Sequence, residues 1–375
     1  MKCNELNLSK YLNIHSPGYV IEIYSNGEIN ELVFGNKTVI PKKEKTTRDT
    51  LYDIASLTKV FTATLIYIAY EEKLIDIYDS VYNIDSNFTN LKNIKIIDLL
   101  SHNQNIWTDG YLGDIKDKEE FYNLIYSSYV KDNTPTYVDV HYIILSLLLE
   151  KIYNKPFDQI CDEKIFKRLN MNNTTFNPIP NNCASNNYEH KEDKVIDDIF
   201  PGQIHDTKAR IANRIGLNLG NASIFTTGSD LLLFLESFFN NFLLREETIN
   251  LMLKHRNTNE MNYNKLKETF HGNDVNEMYE EMVNNKMNLL LSRTYNNMGL
   301  RYRNKIDKMN DVPIKASDNS VTFSGYTGPM FTIDFDNKII VIIMCNVIHN
   351  SRLNRYERKK KTIEIMNMIF DNITK

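Results

Sequence analysis

Residues 18–35, "GYVIEIYSNGEINELVFG", alternate apolar and polar side chains around an Asn-Gly pair, a pattern that predicts a β-hairpin. Residues 328–347, "GPMFTIDFDNKIIVIIMCNV", predict two more strands separated at Asp336-Asn337. The last segment, "RKKKTIEIMNMIFDNI", has helical periodicity, with Ile363, Met366, Ile369 and Phe370 on one face. Between these ends, residues 142–157 and 229–244 predict helices, and residues 180–200 and 255–290 are polar with no legible period. In "LYDIASLTKVFTATLIYIAY" (residues 51–70) the apolar positions from Ser56 to about Ala69 surround the whole helix, which marks a buried helix. Strands at both ends around a helix-rich middle predict an α+β fold. Its antiparallel sheet is built from the N- and C-terminal segments and flanked by helices. Residues 1–80 and 290–375 are expected to form this α/β lobe, and residues 81–289 an inserted, mainly helical lobe, in one domain of 375 residues.

Composition changes this picture little. The chain is 42% apolar and 25% charged, as soluble globular chains are. Its net charge of −4 offers no electrostatic case for nucleic acid or an anionic membrane surface. The cysteines Cys3, Cys161, Cys183 and Cys345 are scattered without metal-ligand spacing, so buried thiols are expected rather than a disulfide framework or a zinc site. No apolar run reaches membrane-spanning length, and the first residues lack the apolar core of a signal peptide, so the expected location is the cytoplasm. The basic "RKKK" run reads as a solvated helix face.

Lys59 is the only charged side chain within the buried helix, and it stands three residues from Ser56, on the same face. Burying a lone ammonium costs several kcal/mol unless it is paired or neutralised. An unpaired lysine there should have a depressed pKa, and its neutral amine could take the Ser56 proton. The helix N-terminus would favour an alkoxide at Ser56. A purely structural reading is also open: Ser56 caps the helix and Lys59 snorkels to solvent. The spacing alone is weak, because Ser128 and Lys131 repeat it without heading an apolar helix.

Further segments stand in a set order. The stretch "TLYDIASLTKVFTATLIYIAYEEKLIDIYDSV" resembles the nucleophile region of the serine β-lactamase/penicillin-binding-protein superfamily, most of all the class C-like branch of esterases, D-aminopeptidases and low-molecular-weight peptidases. "IKIIDLLSHNQNI", "TYVDVHYIILSLLLEKIYNKPF", "GQIHDTKARIANRIGLNLGNASIFTTGSDLLLF" and "FSGYTGPMFTIDF" are similar to later segments of that family, in its order. The resemblance implies that Ser56 is a nucleophile forming an acyl-enzyme, that Lys59 helps deprotonate it, and that Tyr137 is the second proton-transfer group. It also implies that Asp139 hydrogen-bonds near Lys59 or the substrate, and that the backbone N–H groups of Ser56 and Tyr326 form an oxyanion hole beside Ser324 and Gly325. Taken alone, Tyr137 is one of 22 tyrosines and Asp139 a helix-start residue; His102 and His205 read as structural hydrogen-bonding groups.

The third motif departs from the family. Phe323 stands where relatives carry the His or Lys that helps bind the substrate carboxylate and supports the tyrosine, and phenylalanine can do neither job. "SHNQNI" also lacks the family's Ser-Gly. The expected function is therefore a serine hydrolase of small esters or amides without that carboxylate. A penicillin-binding or D-amino-acid peptidase is the alternative enzyme, and a catalytically silent binding protein is the alternative outside enzymes. No metal or organic cofactor is implied, and the partner is a small-molecule ester, amide or peptide.

Overall fold

A computed structural model describes residues 8–133, 135–186, 190–191, 194–195, 199–254, 296–302, 311–351 and 353–374. Cys3, all of the polar stretch 255–290 and parts of the stretch 180–200 lie outside the described residues. The N-terminal hairpin forms as expected: β1 (Gly18–Ser25) and β2 (Glu28–Thr38) join through Asn26 and Gly27, both at positive φ (54° and 78°), the twist a two-residue hairpin turn requires. A short β3 (Glu44–Lys45) extends it. The principal helices of the middle are α1 (Thr58–Glu71), α2 (Asp139–Tyr153), α3 (Thr207–Arg214) and α4 (Gly228–Glu236). The chain then forms β4 (Arg301–Tyr302), β5 (Ser320–Ser324), β6 (Met330–Asp334) and β7 (Ile339–Cys345), and ends in α5 (Arg355–Ile373).

Two helices stop earlier than their periodicity suggests. The one expected over 142–157 starts at Asp139 and closes at Asn154, whose left-handed φ of 50° ends it before Pro156. The one expected over 229–244 ends after Glu236, ahead of a turn with Asn241 at φ 54°.

The seven strands make one antiparallel sheet in the order β4-β5-β6-β7-β1-β2-β3, which brings the two ends of the chain side by side. Tyr19 pairs with Cys345, Ile21 with Ile343 and Ile23 with Val341. These side chains form one core with Ile365, Met366, Ile369 and Phe370 of α5. Ile363, expected in that stripe, is only partly buried, and Ile365 takes its place. The opposite faces of the same strands, with Val20, Ile340, Ile342 and Met344, join the larger core around α1, α2 and α4. Burial on both faces is why "IIVIIMC" is unbroken by polar residues. Helix α1 is buried on every side from Thr58 to Ala69. Cys161, Cys183 and Cys345 are buried free thiols. Among the described residues no helix is long and apolar enough to cross a membrane.

The misfit in β1 is Glu22, buried opposite Glu31 of β2 and packed under the start of α4, where a Cβ on Gly228 would lie 3.1 Å from its Cγ. Burial, with the Glu31 carboxylate beside it, pushes the Glu22 pKa up to about 8. A carboxyl raised above its unfolded value contributes stability below the unfolded pKa and loses it as pH rises through the folded one. Glu22→Gln is therefore expected to raise stability by roughly 2 kcal/mol at pH 9 and to gain little at pH 5. Urea unfolding at the two pH values checks this; equal gains at both would contradict it.

Candidate active site

The turn that presents Ser56 is fixed from several elements at once. Ala55 sits at φ 45°, a left-handed conformation that a non-glycine residue keeps only when its surroundings impose it. The buried Asp53 carboxylate accepts the Ala55 N–H (2.8 Å) and the His205 N–H (2.8 Å). Ile54 N–H donates to the Ile224 carbonyl (3.1 Å), and Thr327 Oγ1 donates to the Asp53 carbonyl (2.6 Å). Gly325, just past β5, explains itself by close approach: a Cβ there would lie 2.4 Å from the Ile54 carbonyl oxygen. The end of β5 after Phe323 and the turn that carries Ser56 are thus in close backbone approach.

Ser56 follows in a single 3-10 turn (Ala55–Leu57), and α1 begins with no side-chain cap, so the capping reading of Ser56 does not hold. Lys59 does not snorkel either: its side chain is 1% exposed and points inward. Its ammonium donates to Ser56 Oγ (3.2 Å), Asp139 Oδ1 (2.8 Å) and the Asn221 carbonyl (2.9 Å). The Tyr137 ring centre lies 5.1 Å from the same nitrogen. Four residues singled out in the sequence, Ser56, Lys59, Tyr137 and Asp139, are therefore assembled at one point.

The expected depressed pKa of Lys59 is corrected by this geometry. Burial pulls it down, but the Asp139 carboxylate and the Tyr137 phenol outweigh burial and hold the ammonium above its ordinary value. The expectation assumed an unpaired amine, and the partner lies 80 residues away in sequence. Asp139 itself is opposed by burial but held well below the usual carboxylate range by Lys59 and by a second lysine, Lys208, at 2.9 Å from Oδ2. Behind Tyr137, the His102 ring packs at 4.5 Å and meets His141 (Nδ1 to Nδ1, 3.0 Å). Burial keeps both imidazoles neutral, pushing His141 down to about 3 and His102 well below its ordinary value. This agrees with a structural role for His102, and His205 stacks on Tyr326 at 5.2 Å.

Two hollows meet at Ser56, Tyr137, Tyr326 and Arg355. Ser324, Gly325 and Tyr326 line the first, as expected of the third motif. Its charge is not what Phe323 suggested. The Arg301 guanidinium lies 5.2 Å from the Phe323 ring centre and donates to Ser324 Oγ (3.3 Å). Arg355 and Arg358 stack on Tyr326 at 5.3 and 5.6 Å, and Lys359 joins the lining. The basic run at the start of α5 is thus solvated only in part: Lys360 is exposed, but Arg358 is buried, and Lys359 pairs with Asp311, which also pairs with Arg301. Sequence reading missed Lys208, Asn221, Arg301 and Arg355. Lys208 and Asn221 lie inside a segment already matched to the family, yet nothing in their local pattern ties them to Lys59.

The family model described as Beta-lactamase matches residues 8–362. A Salmonella typhimurium protein named "Putative D-alanyl-D-alanine carboxypeptidase" is 27% identical over 242 residues, 55% of each chain. The match thus spans about half the length of such curated relatives. A class C beta-lactamase from Rhodobacter sphaeroides superposes with a TM-score of 0.68 at 12% identity, covering 96% of this chain and 98% of its own. EstCE1, described as a hydrolase with promiscuous acyltransferase activity, gives a TM-score of 0.70 at 15% identity, covering 95% and 96%. At these identities the two structures show a shared fold.

Proposed function

The chain belongs to the beta-lactamase family, and from that premise we propose that it is a serine hydrolase working through an acyl-enzyme on small esters or amides. The observation that carries the reading is the Ser56 hydroxyl 3.2 Å from an ammonium buried in α1 and anchored by Asp139. A protein that had lost turnover would have no physical reason to keep a lysine inside an apolar helix.

In the proposed reaction the Lys59–Tyr137 pair first loses one proton to solvent, and Ser56 Oγ attacks the substrate carbonyl carbon as its own proton fills that vacancy. Charge on the carbonyl oxygen is taken up by the Ser56 and Tyr326 backbone N–H groups, each such donor being worth about 3 kcal/mol in known cases. The pair then returns the proton to the leaving alcohol or amine as the carbon–leaving-group bond breaks, and water repeats the sequence on the acyl-enzyme. Labelling by a fluorophosphonate tests the reading, with adduct expected on Ser56. A folded protein that takes no label would instead be the silent binder.

The cationic hollow favours a second reading, a peptidase whose substrate carries a carboxylate next to the scissile bond. Relatives named as D-alanyl-D-alanine carboxypeptidases support the same reading. Phe323 removes one cation from the third motif, but Arg301 and Arg355 bring others to that wall. A fluorescent penicillin should then label Ser56 as well. Charge-assisted bonds to an anion are worth about 1.5–3 kcal/mol. Arg355→Ala is thus expected to raise KM for a carboxylate-bearing substrate by roughly 10- to 100-fold and to leave the matching methyl ester unchanged. Equal effects on both substrates would remove the carboxylate reading and leave the neutral ester or amide.

A further inference from the structure

Lys208 stands in the first turn of α3, two residues after Asp206, which caps that helix by accepting the Ala209 N–H (2.9 Å). Its ammonium is shared between Asp139 Oδ2 (2.9 Å) and Asp206 Oδ2 (3.2 Å). The Asn221 amide donates to Asp206 Oδ1 (3.4 Å), and the Asn221 carbonyl accepts from Lys59 (2.9 Å). The contacts close a ring, Lys59–Asp139–Lys208–Asp206–Asn221, in which two ammoniums and two carboxylates alternate beside the nucleophile. We propose that Lys208 is a positioning residue for the Lys59 proton: by occupying the second oxygen of Asp139, it limits how strongly that carboxylate holds Lys59 as an ammonium. The inference deepens, and rests on, the acyl-enzyme reading above.

The physical argument is one of shared charge. With Lys208 present, Asp139 serves two cations, and a second positive charge stands within one carboxylate of Lys59. Without it, the whole carboxylate charge falls on Lys59, whose proton then leaves the pair with Tyr137 less readily. Other groups near Lys59 are Tyr137 ahead of α2, His141 and Tyr142 on α2, and His102 after residues 96–100, while Asp206 reaches it only through Lys208, Arg301 lies beside His102, and His205 and Arg355 line the adjoining hollows. His102 and His141 stay neutral and Asp139 stays ionised from pH 6 to 10. His205 is common to every variant in the test.

The test is the pH dependence of fluorophosphonate acylation of Ser56 in the full chain, with folding checked by circular dichroism. In Lys208→Met the acid limb is expected to move up by about one pH unit, near the lower end of shifts caused by a close charge. Labelling at pH 7 then falls about tenfold, and the rate recovers to that of the wild type at alkaline pH. Lys208→Arg should keep the wild-type limb. Asp206→Asn, which keeps the helix cap but releases Lys208 to Asp139, should move the limb down. A labelled wild type with the same limb in all variants, or a loss in Lys208→Met that is equal at every pH, overturns the role of Lys208 alone. An unlabelled wild type at every pH overturns the acyl-enzyme reading, and this inference with it.

Discussion

Ser56→Ala is expected to lower the turnover of a small ester substrate by about a millionfold, the scale seen when a serine nucleophile is removed, while changing stability by no more than about 1 kcal/mol. The asymmetry follows from the geometry of Lys59. Its ammonium loses one of three acceptors and keeps the other two, Asp139 Oδ1 and the Asn221 carbonyl. The buried charge therefore remains paired, and the fold has little to lose. The strained Ala55 turn is held by Asp53, Ile224 and Thr327, none of which depends on the Ser56 hydroxyl. Steady-state kinetics beside a urea melt measure both halves. A variant retaining more than about 1% of turnover would mean that Ser56 is not the nucleophile.

Asp139→Ala should be the most damaging single change to folding, with an expected loss of about 3–5 kcal/mol at pH 7, the range for removing one partner from a buried ion pair. Here one carboxylate serves two ammoniums, Lys59 at 2.8 Å and Lys208 at 2.9 Å, and its removal leaves both facing each other at the wall of the cleft, with Lys59 fully buried. Lys208 can fall back on Asp206, but among the described residues Lys59 pairs with no second carboxylate. The pH dependence has a definite sign. Asp139 is held below its unfolded pKa, so its contribution is present above about pH 4 and is lost as the pH falls through the folded value. The gap between wild type and variant is thus widest near neutrality and closes on acidification. A gap below about 1 kcal/mol at pH 7 would show that Asp139 does not carry the buried charge.

Much of this protein was legible before any coordinates. The Asn26-Gly27 hairpin, the strand pair around Asp336-Asn337 and the all-apolar helix after Ser56 are local patterns, set by residues two to four apart. The candidates Ser56, Lys59, Tyr137 and Asp139 came from a spacing and a family order, and they meet in one place. What periodicity cannot carry is the charge state of a group whose partner is remote in the chain. The helix pattern alone left Lys59 without a partner because Asp139 is 80 residues away and Asn221 162 away; only the family order hinted at Asp139. Phe323 looked like the loss of a cation because Arg301, Arg355 and Arg358 reach the same wall from β4 and α5.

The chain's own sequence determined its elements and the place of its candidate serine, since backbone preference and apolar period act over a turn or a strand pair. Tertiary structure alone decided which ions neutralise one another and what sign of charge the cleft offers a substrate. Coulomb interactions and desolvation act through space, and only folding sets those distances.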